Sequence, residues 1–200
     1  MTVGSRWFKF DFHNHTPASD DYRVPDITPR EWLLAYMRRQ VDCVVISDHN
    51  SGAWIDVLND ELANMSRDAS TGELADFRKL ALFPGVELTA TGNVHILAVL
   101  HTLSTSADVE RFLAQCNNNC PIPRETPNHQ IVLQLGSAGI ISNIRRNPEA
   151  ICILAHIDAA KGVLTSLTNQ GELTDAFQAN PHAVEIRHRG RILRTGLIDV

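Results

Sequence analysis

The chain has 200 residues, a formal net charge of -5 and 44% hydrophobic residues. This composition fits one domain over residues 1–200, with no apolar run long enough to cross a bilayer and no low-complexity tract or internal repeat. The acidic balance excludes a general attraction to nucleic acid, and the N-terminus lacks a charged-then-apolar leader, so the expected location is the cytoplasm.

The first element is a short alternating segment, Trp7-Phe8-Lys9-Phe10-Asp11-Phe12, ending in His13-Asn14-His15. Residues i and i+2 of a strand share a face, so a strand there would offer both imidazoles to one ion. Thr28-Pro29-Arg30-Glu31 carries the pattern of a capping box with proline at the first helical position, and predicts a helix to about Gln40 that buries Trp32, Leu33, Tyr36 and Met37. Asp42 to Ser47 is a β-branched, apolar run leading into Asp48-His49-Asn50. A second helix follows Ser51, with Trp54, Leu58, Leu62 and Met65 on one stripe, and Leu74 to Leu80 reads as a short helix. Leu80 to Val86 is a third strand that delivers Glu87, and Val94 to Leu100 a fourth with His95 at its start. Asp108 to Cys116 reads as a helix, Asn117 to Asn128 as a loop, and Gln130 to Arg146 as a helix broken at Gly136-Ser137. Ile151 to Ala155 is a fifth strand ending at His156, with Asp158 two positions on. A helix over Leu173 to Gln178 and a sixth strand, Ala183 to Ile186, follow, with Glu185 inside that strand and His188 beyond it.

Strands alternating with helices imply an α/β fold with a mostly parallel sheet, and ligand-type residues after successive strands imply a site on the strand-end loops. A barrel gathers that many strand ends around one centre, and no glycine-rich phosphate loop follows the first strand to favour an open nucleotide-binding sheet. Cys116 and Cys120 have a spacing open to a metal or disulfide element, against the plainer reading of unlinked thiols. Cys43 and Cys152 read as small core residues. The cluster Arg187, His188, Arg189, Arg191 and Arg194 reads as a solvated tail, since no aromatic residues are interleaved with it.

The segments His13-Asn14-His15-Thr16-Pro17-Ala18-Ser19-Asp20-Asp21, Ile46-Ser47-Asp48-His49-Asn50, Phe83-Pro84-Gly85-Val86-Glu87, Val94-His95-Ile96-Leu97 and Leu154-Ala155-His156 occur in this order. Together they resemble the successive motifs of the polymerase and histidinol phosphatase (PHP) family. The stretch through Ser51-Gly52-Ala53-Trp54 looks closest to PHP domains that precede an AAA-like ATPase region. The resemblance implies a distorted TIM-like (β/α)7 barrel and up to three divalent metal ions, zinc, manganese or iron. It also implies phosphoester hydrolysis by a metal-bound hydroxide, on a small phosphorylated substrate or nucleotide.

Carried over by motif, His13 and His15 would hold a first metal, and Glu87 would bridge it to a second that also takes His95 and His156. Asp21 and His49 would serve a third, with Asp20 as the competing choice for Asp21. Catalysis would be organised around Glu87, His49 and Asp48, where Asp48 either orients its neighbours or caps a helix. Lys161, Arg145 and Arg187 are candidate phosphate holders, set against the plainer reading of surface charges. The family's closing Asp-x-His pair has no match, because His188 and Asp199 do not fit it. The expectation is therefore a barrel incomplete at its C-terminal end, completed by an ATPase region or partner, or a non-catalytic metal-binding or interaction module, or a fragment of a longer protein. An amidohydrolase-type barrel also uses His-x-His after its first strand, but the Pro-Gly-x-Glu and Ser-Asp-His-Asn segments fit the PHP pattern better.

Overall fold

A computed structural model describes residues 6–120, 122 and 125–188. Its elements are β1 (Phe10–Asp11), α1 (Pro29–Arg38), β2 (Cys43–Ile46), α2 (Ile55–Thr71), β3 (Ala81–Ala90), β4 (Val94–Val99), α3 (Ser106–Cys116), α4 (Ser137–Arg145), β5 (Ile151–Leu154), α5 (Val163–Ser166), α6 (Gln170–Gln178) and β6 (Ala183–Val184). The capping box at α1 is formed: Thr28 Oγ1 accepts from the Glu31 N–H at 3.3 Å, and the Glu31 carboxylate accepts from the Thr28 N–H at 2.9 Å. The buried stripe of α1 comprises Trp32, Leu33 and Met37, and Tyr36 packs at its border. No helix among the described residues is long and apolar enough to cross a membrane.

The six strands form one sheet in sequential order. All neighbours pair in parallel except that β4 runs antiparallel to both β3 and β5. The described residues thus form a mixed α/β sheet of six strands with one reversed, not seven parallel β/α units. The reversal follows from the short Thr91–Asn93 connection, which permits a hairpin but not a crossover. It also places the start of β4, and with it His95, at the rim where the other strands end.

The sheet is strongly curled. Laid flat at about 4.8 Å spacing, six strands would hold their outer edges about 24 Å apart, yet His13, just past β1, is hydrogen-bonded to Glu185, just past β6, at 2.7 Å. The outer face carries Val44, Ile46, Val86, Leu88, Ile96, Ala98, Cys152 and Leu154 into the main core beneath the helices. The inner face carries a second, smaller cluster of Val45, Leu97, Val99, Ile153 and Ala155, with Phe10 and Phe83 against it. Period-2 alternation then puts Glu87 and His95 on this inner face, above an apolar floor.

Pro84 lies within a central strand, where a missing N–H is normally a defect. Here β3 pairs with β2 up to Pro84 and with β4 from Gly85 onward, so the proline falls where the partner changes. Gly85 is required by close approach, since a Cβ there would lie 2.7 Å from Val45 Cγ1 and 2.8 Å from the Ala98 oxygen.

Two helical expectations fail. Leu74 to Leu80 is irregular rather than helical, and Arg78 anchors it to the residues just before β2 through bonds to the Val41 oxygen (2.7 Å) and the Asp42 carboxylate (2.5 Å). Of Gln130 to Arg146, only Ser137–Arg145 is α-helical. The preceding segment instead runs along the end of β3, with Leu133 N–H donating to the Thr89 oxygen at 2.8 Å and Thr91 N–H to the Leu135 oxygen at 3.0 Å. All four cysteines are free thiols, so Cys116 and Cys120 form no disulfide. Cys152 is fully buried in the core, as expected, while Cys43 is half-buried. Arg189, Arg191 and Arg194 of the basic cluster, and Asp199, lie outside the described residues.

Gly85→Ala should destabilise the domain by about 1–3 kcal/mol, because backbone on one side and a packed valine on the other cannot both retreat. Urea denaturation measures this, and an unchanged midpoint would contradict the close approach.

Candidate metal centre

The site is built around Glu87, whose side chain is 1% exposed. Five imidazoles surround it. His95 Nδ1 is 2.6 Å, His156 Nε2 3.2 Å and His13 Nε2 3.3 Å from Oε1, while His49 Nδ1 is 3.0 Å and His15 Nε2 3.5 Å from Oε2. Asp21 reaches His49 Nε2 from the outer side at 3.7 Å. The ligand-type atoms fall into two groups, His13–His15–Glu87 and His49–Glu87–His95, each within 4.8 Å of one another. A cleft of about 500 Å³ opens over them and is also lined by Arg23, Lys161, Glu185 and Arg187.

Local sequence explains each placement. His13 and His15 follow β1 rather than lying on it, so the pleat does not orient them. Asn14 does: its N–H donates to Ser47 Oγ at 3.0 Å, its carbonyl accepts from that hydroxyl at 2.7 Å, and its side-chain amide donates to the Val45 oxygen. Trp32 of α1 adds a bond from its indole N–H to the His15 oxygen at 3.2 Å. After β2 the chain rejoins β3, where Glu87 N–H donates to the Asp48 oxygen (3.0 Å) and Asn50 N–H to the Glu87 oxygen (2.9 Å). That bridge sets His49 beside Glu87. His156, at the end of β5, has φ +28°, a conformation unusual for a residue with a Cβ and one often found at functional sites.

Asp48 caps no helix. Its buried carboxylate accepts from Thr16 N–H (2.6 Å), Thr16 Oγ1 (2.7 Å) and Ser19 Oγ (2.8 Å), and burial outweighs these bonds in raising its pKa to about 6. Because Ser19 gives its one proton to Asp48, its oxygen must accept from the His49 N–H (3.1 Å) and from His15 Nδ1 (3.2 Å). His15 therefore carries its proton on Nδ1 and turns the Nε2 lone pair toward Glu87. Asp20 is occupied elsewhere, its carboxylate accepting from the Asn128 N–H at 2.6 Å. Between the two aspartates, Asp21 is the one beside the histidines.

The two histidines of the pair are electrostatically opposite. Burial lowers the pKa of His13, but the carboxylates of Glu185 and Glu87 outweigh it and hold the ring at about 10. Burial dominates for His15, and with His49 and His13 nearby it falls to about 4 despite the pull of Glu87. Burial raises Glu87, yet its contacts with His13, His156, His49 and His95 hold it well below the carboxylate range. Even so, His95 Nε2 and His156 Nδ1 are buried without a hydrogen-bond partner, and His49 Nδ1 and Glu87 Oε2 face each other at 3.0 Å without hydrogen-bond geometry. Buried polar atoms left unmatched are costly, and four in one cluster of metal-ligand type fit a divalent cation.

Of the candidate phosphate holders, Lys161 and Arg187 line the cleft, whereas Arg145 bonds His182 away from it. Arg187 is exposed, as expected of a solvated residue, but its backbone N–H is held by Asp158 at 2.8 Å beside the cleft. Sequence reasoning missed Arg23, which had no motif to mark it. It also gave no role to Glu185, whose signal was present, an acidic residue inside the predicted sixth strand.

No family model and no curated protein matches the chain. Solved structures do resemble it. A protein of Bifidobacterium adolescentis assigned as a metal-dependent phosphoesterase superposes with a TM-score of 0.57 at 17% identity, over 92% of this chain and 78% of that one. The lesion-specific Endonuclease Q of Pyrococcus furiosus gives 0.59 at 14% identity, over 90% of this chain but only 42% of the endonuclease. An amidohydrolase of Chromobacterium violaceum gives 0.55 at 14% identity, over 94% and 82% of the two chains. At these identities the likeness establishes a shared fold.

Asp48→Ala should cost about 2–4 kcal/mol, since it strands the Thr16 and Ser19 donors in a buried turn. Thermal denaturation tests this, and a loss under about 0.5 kcal/mol would mean that the turn does not depend on Asp48.

Proposed function

We propose that this chain is a metal-dependent phosphoesterase of the PHP type. The observation that supports it best is the buried Glu87 carboxylate ringed by five imidazoles, with unmatched ring nitrogens beneath a cleft carrying Arg23, Lys161 and Arg187. In this reading His13, His15 and Glu87 hold one cation. Glu87 would share a second with His95 and His156, and Asp21 with His49 would hold a third. Zinc, manganese or iron, when bound, supplies activated water at neutral pH and offsets charge on the phosphoryl group.

The chain's own residues do the rest. Arg23, Lys161 and Arg187 hold phosphate oxygens at the mouth of the cleft. Lys161 is steadied by its bond to the His129 oxygen at 3.1 Å. His15 would ligate through the Nε2 lone pair that Ser19 fixes, and His13 through Nε2 once that nitrogen has lost its proton to solvent. The net charge of -5 favours a small phosphorylated molecule or nucleotide as substrate over long nucleic acid. A nucleic-acid phosphodiester is the second reading, favoured by three cationic side chains on one cleft and by the fold shared with Endonuclease Q, which has been seen with an abasic 27-mer duplex at its active site.

Zinc binding at pH 7 should release about one proton, because His13 is held at about 10. Calorimetry in buffers of different ionisation enthalpy reads this, and a buffer-independent heat would show that His13 enters the reaction already neutral. Glu87→Ala should abolish turnover of phosphomonoesters and nucleotides by about a thousandfold or more while circular dichroism stays native. A variant as active as the wild type would refute the proposal.

A further inference from the structure

We infer that Glu185 is a positioning residue of this centre. It locks His13 with Nε2 turned toward Glu87, and it joins β6 to β1 through a side chain where, among the described residues, no backbone ladder does so. The inference rests on the metal-dependent reading above.

Glu185 Oε2 lies 2.7 Å from His13 Nδ1, and the same oxygen accepts from the His156 N–H at 3.0 Å. An ionised carboxylate only accepts, so His13 Nδ1 must donate. That leaves Nε2, 3.3 Å from Glu87 Oε1, as the nitrogen available to the site. A carboxylate on the far nitrogen of a ligating histidine fixes its tautomer and strengthens it as a donor to a metal.

The placement of Glu185 owes nothing to β1. Its N–H donates to the Leu154 oxygen at 2.8 Å and its carbonyl accepts from the Ile157 N–H at 2.9 Å. Just beyond, the buried Asp158 carboxylate accepts from the Arg187 N–H (2.8 Å) and the His188 N–H (2.5 Å). The segment after β6 is therefore stapled to the end of β5, which aims Glu185 across the opening at His13. Among the described residues β1 pairs only with β2, and β6 only with β5. The contact with His13 spans the gap between the two edges.

The test is zinc titration of metal-free wild type, Glu185→Ala and Glu185→Gln, with long-range proton–nitrogen spectra of the histidine rings. The expected result is zinc affinity weakened about tenfold or more in Glu185→Ala. Glu185→Gln, which keeps an acceptor oxygen, should lose less, and the Nδ1 proton of His13 should be seen in wild type and lost in Glu185→Ala. A purely structural role would lower thermal stability without moving the zinc constant or the ring signature. Zinc affinities within about twofold of wild type in both variants would overturn the inference, as would a wild-type His13 lacking the Nδ1 proton. If the wild type takes up no zinc, the phosphoesterase reading falls, and the metal-free ring spectra decide the role of Glu185 alone. If Glu185→Ala does not fold, Glu185→Gln carries the comparison.

Discussion

A carboxylate withdrawn from water costs several kcal/mol unless its lone pairs are met, and Glu87 is withdrawn almost completely. Everything at the rim of the sheet answers that requirement. The imidazoles come from the segments after β1, β2 and β5 and from within β4, so the constraint reaches across most of the sheet. Reversal of β4 is what lets a residue at the start of a strand join residues at the ends of others. The small apolar cluster below, with Val45, Leu97, Val99 and Ile153, excludes water from the underside of the site.

Neighbouring histidines in this ring have opposite roles because their partners differ. Carboxylates on both sides of His13 stabilise its cation, whereas His15 has a serine on its far nitrogen and other imidazoles nearby, so burial prevails. Such a split is a mark of a functional site, where charged and neutral forms are held in fixed places. The shell behind the histidines matters as much as the ring itself. Asp48, Ser19, Asn14 and Glu185 touch the histidines or the turns that bear them, and each fixes one orientation.

Much of this was legible in the sequence. The six strands and the residues His13, His15, Asp48, His49, Glu87, His95 and His156 were readable because apolar runs with sharp polar ends leave a pattern in one dimension. The capping box of α1 was readable for the same reason. What escaped depends on contacts distant in the chain. Leu74 to Leu80 has helical spacing, but Arg78 ties it to Asp42, and the segment before α4 is drawn along β3 by backbone bonds. Glu185 stood inside a predicted strand, yet its value came only from meeting His13, 172 positions away. The order of strands 3, 4 and 5 was visible as order, but not as direction, because alternation does not encode whether a neighbour runs parallel.

The central claim is that the ring around Glu87 is a metal centre, and elemental analysis of protein purified without chelator tests it most directly. The account predicts about two to three equivalents of zinc, manganese or iron per chain, falling to about one or fewer in Glu87→Ala. Metal-free wild-type protein that stays metal-free after incubation with each ion would contradict it.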